Sequence, residues 1–212
     1  MVMTDSKAIK REAILKHATE VFAECGFRGT DVQDIANRAE VGKGTVYRYF
    51  GSKEDLFWAV IDEMDDRMEA AILDGTDEIE STLEVVQVIG IRFIQFFNDH
   101  PHYLELSAQD RAEFRGKVPP ARKKRHQERI AEFGKLLVEG VERGELRPLD
   151  IDKTINAFGA MIKGVSHNAC YHLTDWSMME VAGLAIDIFI RGIAADPASL
   201  DNRTGSEDEP SI

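Results

Sequence analysis

Between positions 43 and 53 the chain gathers side chains that donate hydrogen bonds or carry positive charge: Lys43, Thr45, Tyr47, Arg48, Tyr49 and Lys53. Hydroxyl and ammonium groups suit phosphate oxygens, and a guanidinium can bridge O6 and N7 of a guanine. That is the chemistry of recognition. Covalent catalysis would need a nucleophile beside a base, a glycine-rich phosphate loop or a cluster of metal ligands, and the sequence offers none of these motifs. No catalytic residue, no cofactor and no metal is expected. His100 and His102 flank Pro101 at a helix break, while His167 and His172 are five apart and do not share a helical face.

Residues 30–50, TDVQDIANRAEVGKGTVYRYF, have the spacing that would position these groups. A helix-turn-helix needs a short helix, a tight turn and a second helix whose exposed N-terminal side chains can enter a major groove. Ile35, Ala39, Val41 and Val46 point inward on this reading, and small Ala36 lets the helices approach. Gly42 and Gly44 bracket the turn, and Gly51 stops the second helix, at about 45–50. Lys43, Thr45, Tyr47, Arg48 and Tyr49 then face outward, because adjacent tyrosines on so short a helix cannot all turn inward. Thr30 offers an N-cap for the first of the two helices, with Gln33 at capping-box spacing.

The surrounding pattern is helical almost throughout, so an all-α fold of about nine helices is expected. Ile14, Ala18, Val21, Phe22 and Cys25 give the first helix one apolar stripe, ended by Gly26. Cys25 is therefore read as an inert buried thiol, and with Cys170 as one of two reduced thiols. Ser52 with Asp55 opens a long helix at 53–73. Later helices are expected from Ile79 to His100-Pro101, from Pro101 to about 108, then at 121–143, 150–171 and 174–195, with a loop at 109–120. The polar, acidic stretch 196–212 reads as a disordered tail.

Charge divides unevenly along the chain. The net charge is -12, yet residues 1–55 hold 9 Lys+Arg against 9 Asp+Glu, so all the excess negative charge lies beyond them. Attraction to a polyanion must come from a local face made by Lys43, Arg48 and Lys53. The densest basic run, Arg122 to Arg129, lacks interleaved aromatics and reads as a solvated helix face that pairs with acidic neighbours. No apolar run approaches the roughly 20 residues needed to span a bilayer, and a soluble, cytoplasmic protein is expected.

Residues 13–61, most specifically Val41 to Leu56 (VGKGTVYRYFGSKEDL), resemble the N-terminal domain of TetR-family repressors nearly position for position. The resemblance implies a three-helix DNA-binding domain at 1–52, joined by the helix at 53–73 to a regulatory and dimerisation domain spanning 53–195. It assigns Lys43, Thr45, Tyr47, Arg48 and Tyr49 to DNA contact, Gln33 to a position that often touches DNA, and Thr30 and Lys53 to phosphate. It also implies a homodimer on a double-stranded, pseudo-palindromic operator, released by a largely apolar small molecule. Candidate pocket residues are Phe93, Gln95, Phe97, Tyr103, Phe133, Met161, His167, Asn168 and Tyr171. Small residues at 150–171 and 174–195 (Gly159, Gly164, Ala182, Gly183, Ala185, Gly192) suit a four-helix dimer interface. An effector-independent DNA-binding protein with the same N-terminal domain is the alternative. One residue departs from the family pattern: Glu40 stands where glycine is usual, and a left-handed non-glycine residue costs about 1 kcal/mol.

Overall fold

The computed structural model describes residues 2–114, 117–168 and 176–200. Nine α-helices occur among them: α1 (Val2–Gly29), α2 (Val32–Arg38), α3 (Lys43–Phe50), α4 (Lys53–Leu73), α5 (Thr82–Asp99), α6 (Pro101–Glu113), α7 (Pro120–Glu142), α8 (Ile151–Asn168) and α9 (Met178–Ile193). Among the described residues, short 3-10 turns stand at Thr76–Glu78 and Pro197–Leu200, and extended backbone forms a bridge between Leu146 and Ala194. The fold is all-α, as the periodicity predicts.

Contacts divide the chain into two compact units that are not consecutive stretches of sequence. The first comprises residues 1–70 and 99–122, the second residues 71–98 and 123–212. Helix α6 thus belongs with α1 to α4, although it follows α5 in the chain.

In the first unit the apolar stripe of α1 buries Ile14, Ala18, Val21 and Phe22 against Val32, Ile35 and Ala36 of α2, Val46 of α3 and the inner face of α4. Its centre is aromatic. Phe57 meets Phe22 edge-on at 5.1 Å between centroids and Phe27 at 5.4 Å, and Phe114 lies 4.9 Å from Phe27 and 4.7 Å from Trp58. Phe114 can do this because α6 runs through Glu113. The loop expected to start at 109 is helical for five further residues, and the Gln109 amide donates to the Phe22 carbonyl at 2.9 Å.

Two other expectations change here. Gly26 does break α1, with φ 72° and ψ 160°, but three more residues turn helically behind it. The kink carries Phe27 into the aromatic cluster and leaves Cys25 exposed, so the expected buried thiol is a surface thiol. Arg122 pairs with acidic side chains as expected of its run, but not on a solvated face: only 16% of its side chain is exposed. Its guanidinium sits 2.9 Å from Asp65, 3.6 Å from Asp110 and 3.8 Å from Asp62, and lies over the Trp58 ring. Three carboxylates and an aromatic face draw this first arginine of the run inward, where burial pushes the Asp110 carboxyl up despite the pull of Arg122.

The second unit has a largely aliphatic core of Val86, Ile89, Ile94, Leu137, Ile162, Ile186, Ile190 and Ile193, with Phe158 among them. Gly90 and Gly140 permit its closest approaches. A Cβ on Gly90 would lie 2.9 Å from Ile186, and one on Gly140 would lie 2.7 Å from Thr82 and 2.9 Å from Leu146. The turn after α7 ties two helix ends together: Glu145 accepts the Thr82 amide at 2.7 Å at the start of α5, and Arg147 donates to the Gly192 carbonyl near the end of α9 at 2.6 Å. Ser177 and Glu180 form a reciprocal capping box that fixes the start of α9. Of the stretch expected to be a tail, Pro197–Leu200 is a 3-10 turn whose Leu200 packs on the core, and residues 201–212 lie outside the described residues.

Candidate nucleic-acid interface

The helix-turn-helix is assembled by local chemistry. Asp31, extended at φ -92° and ψ 127°, caps α2 by accepting the Gln33 amide at 2.8 Å. Thr30, expected in that role, lies one residue too early. It is 5% exposed, and its hydroxyl donates to the Gly26 carbonyl at 2.7 Å, closing the end of α1. Between α2 and α3 the chain reverses through Glu40, which adopts the left-handed φ of 54° that a glycine would take without strain. Gly42 precedes α3, Gly51 follows it at φ 83°, and Ser52 opens α4 by accepting the Asp55 amide at 3.0 Å.

Helix α3 starts two residues earlier than expected, so Lys43 belongs to its first turn. Val46 is buried and holds the helix on α2, while Tyr47 and Arg48 are exposed and Thr45 and Tyr49 half-buried. Phe50 packs beneath the Arg11 guanidinium at 5.6 Å. Gln33 is exposed on α2, its amide donating to Asn37 at 2.8 Å. Lys43, Thr45, Tyr47, Arg48 and Tyr49 thus occupy one short helix framed by two glycines.

The two lysines of this region differ. The Lys43 ammonium is exposed and bonds to the Asp31 carboxylate at 2.8 Å, a hydrogen bond that holds it above the usual lysine range. Lys53 turns back into the fold: it donates to the carbonyls of Thr30 at 2.5 Å and Arg28 at 3.4 Å and lies 5.0 Å over the Phe27 ring. Burial pulls its ammonium below the usual range. A cation at a helix N-terminus opposes the dipole of its own helix, and here it satisfies carbonyls at and just beyond the C-terminal end of α1.

The expected pocket residues fall in different places. Phe93 and Met161 pack on the core of the second unit, where Phe93 meets Phe97 at 5.1 Å and Phe133 stacks on Phe158 at 5.6 Å. Gln95 is half-buried. Tyr103 lies in the first unit, stacked on His100 at 5.5 Å and hydrogen-bonded to Arg67. The side chains of His167 and Asn168, and Tyr171 as a whole, lie outside the described residues. Second-unit clefts of about 610 Å³ near Arg143 and about 480 Å³ between α7 and α8 are lined by other residues. No group of three His, Cys, Asp or Glu among the described residues is placed to hold a metal. No helix among them is long and apolar enough to cross a membrane.

A short helix, a tight turn and a second helix with polar side chains outward define a helix-turn-helix protein. Residues 14–60 match the pattern of the tetR family of bacterial regulatory proteins. The HTH-type transcriptional repressor KstR2 of Mycobacterium tuberculosis is 30% identical over 146 residues, which cover 68% of this chain and 72% of that one. The chain belongs to the TetR family of transcriptional regulators. With the repressor Rv3405c of the same organism identity is 48%, but over 52 residues that span 28% of the relative's length. Among solved structures, FadR from Bacillus subtilis in complex with stearoyl-CoA superposes with a TM-score of 0.73 at 20% identity, covering 86% of this chain and 98% of that one. AibR in complex with isovaleryl coenzyme A and operator DNA gives 0.70 at 16%, covering 84% and 97%. Both likenesses concern the fold.

Proposed function

We propose that this chain is a dimeric repressor that binds a pseudo-palindromic operator through α3 and releases it when a largely apolar small molecule binds. Residues 1–52 carry DNA recognition, 53–195 carry regulation and dimerisation, and α4 links the two. The observation that carries the reading is the outward face of α3, where Tyr47, Arg48 and the Lys43 ammonium are exposed and Thr45 and Tyr49 half-buried, while Val46 is buried against the fold. In the complex Lys43, Thr45, Tyr47, Arg48 and Tyr49 meet phosphates and base edges. Gln33 approaches from α2, and Thr30 and Lys53 contribute mainly by fixing the end of α1 from which α2 departs.

Dimerisation is supported by α8 and α9. Leu184 and Ile188 on α9 are 63% and 61% exposed, and a Cβ on Gly159, Gly164, Gly183 or Gly192 would meet nothing within 4 Å. Small residues with no described residue of their own protomer above them, beside exposed leucine and isoleucine, suit an isologous interface. Ala182 is the exception, being fully buried in the protomer's own core.

The effector favours a state unable to bind DNA, and a ligand binding both states equally would shift nothing. Its pocket is formed by the aromatic and methionine side chains of the second unit, with Phe93, Phe97, Phe133 and Met161 as the apolar lining. Selection of fragments from a random duplex pool, followed by a screen of apolar acids and their thioesters for release, tests this reading. An enriched inverted repeat and a compound that releases it are expected. An operator whose affinity no compound alters would favour the effector-independent alternative, and the absence of any enriched sequence would overturn both.

A further inference from the structure

Asp31 caps α2 through its carboxylate, and the same Oδ1 atom lies 2.8 Å from the Lys43 ammonium at the start of α3. Both side chains face solvent, with 40% of Lys43 and 61% of Asp31 exposed, and Asp34 adds a weaker attraction to the same ammonium. One of the three donors on Lys43 is therefore engaged before any duplex arrives, and its charge is matched at contact distance. A lysine neutralised in this way displaces few counterions from DNA, and its partner carboxylate repels the approaching phosphate.

This cost does not fall equally on all duplexes. Non-specific binding draws essentially all its affinity from phosphate charge, whereas an operator also returns base contacts that offset the broken pair. We propose that Asp31 is a specificity-determining residue, an internal counter-anion that withholds Lys43 from non-operator DNA. The inference rests on the reading of α3 as the recognition helix and names a residue outside the DNA-contacting set.

Asparagine caps helices as well as aspartate does, so Asp31→Asn removes the charge and keeps the cap. Full-length protein is titrated with the selected operator and with an unrelated duplex of equal length, at about 50 to 200 mM salt. Asp31→Asn is expected to bind the unrelated duplex about tenfold tighter, with a smaller gain on the operator. The slope of log affinity against log salt should steepen by about 0.9 for each Lys43 released. Adding Lys43→Met should abolish both changes, and Asp31→Ser, which also caps, guards against a defect peculiar to asparagine. Unchanged slopes, or weaker binding to both duplexes at an unaltered melting temperature, would overturn the proposal and make Asp31 a simple support. Failure of the unaltered protein to bind any duplex would remove the recognition-helix reading itself, and this inference with it.

Discussion

The outward faces of α3 and α9 make an instructive pair. Each belongs to a helix that buries its opposite side, Val46 in one case and Ala182, Ile186, Ile190 and Ile193 in the other. One face presents hydroxyls and cations, the other Leu184, Ile188 and two glycines open to space. Exposure therefore carries opposite meanings on the two helices. Polar groups on α3 lose little by remaining in water until a polyanion arrives, while the apolar face of α9 gains most when it meets a surface like itself.

The comparison breaks most visibly at α9. Leu184→Glu combined with Ile188→Glu should give a folded monomer, read as half the mass by light scattering. Losing two linked sites should weaken operator binding by about 10²- to 10⁴-fold. A variant that remains dimeric would place the interface elsewhere.

Glycines sharpen the same contrast at a smaller scale. Gly140→Ala forces a Cβ against Thr82 and Leu146 and should cost about 1–3 kcal/mol in denaturant unfolding. Gly183→Ala has room in the protomer and should leave its stability unchanged or slightly raised, because alanine is the better helix former. Its effect should appear as weaker dimerisation. Equal losses at the two positions would mean that both glycines serve the protomer's own packing.

The smallest expected effect is at the turn between α2 and α3. Glu40→Gly relieves a left-handed φ of 54° and should stabilise by about 1 kcal/mol. For a chain of this size that is about 3 °C in melting temperature. It also removes a carboxylate next to α3, so on the proposed reading operator affinity should rise rather than fall. A lower melting temperature would show that Glu40 makes a compensating contact.

Sequence made the α2–α3 region and α4 legible because the signals there are local: glycines where the backbone turns, a Ser52-to-Asp55 cap, and an apolar residue at each inward position. It was silent where distant segments meet. Nothing in the run Arg122 to Arg129 announces that Arg122 is drawn to Asp62, Asp65 and Asp110, and nothing marks Phe114 as the partner of Phe27 and Trp58. Lys53 was legible as an oddity, a cation at the wrong helix end, but its carbonyl partners lie more than 20 residues away in sequence. Two local signals were there to be used. Asp31 is as good a cap as Thr30, and Ser177 with Glu180 has the capping-box spacing. The proposed dimer face was legible as small residues among large ones, but only the structure separates Gly90 and Gly140, which pack, from Gly183 and Gly192, which meet no side chain among the described residues.

Replacing Tyr47 by alanine tests the role of α3 most directly, because the residue is 39% exposed and does not belong to the buried core. Operator affinity and melting temperature are measured on the same preparation. The expected result is a loss of operator binding of about tenfold or more with the melting temperature within about 1 °C of the unaltered protein. Parallel loss of both, or undiminished operator binding, would contradict the assignment of α3 as the helix that reads DNA.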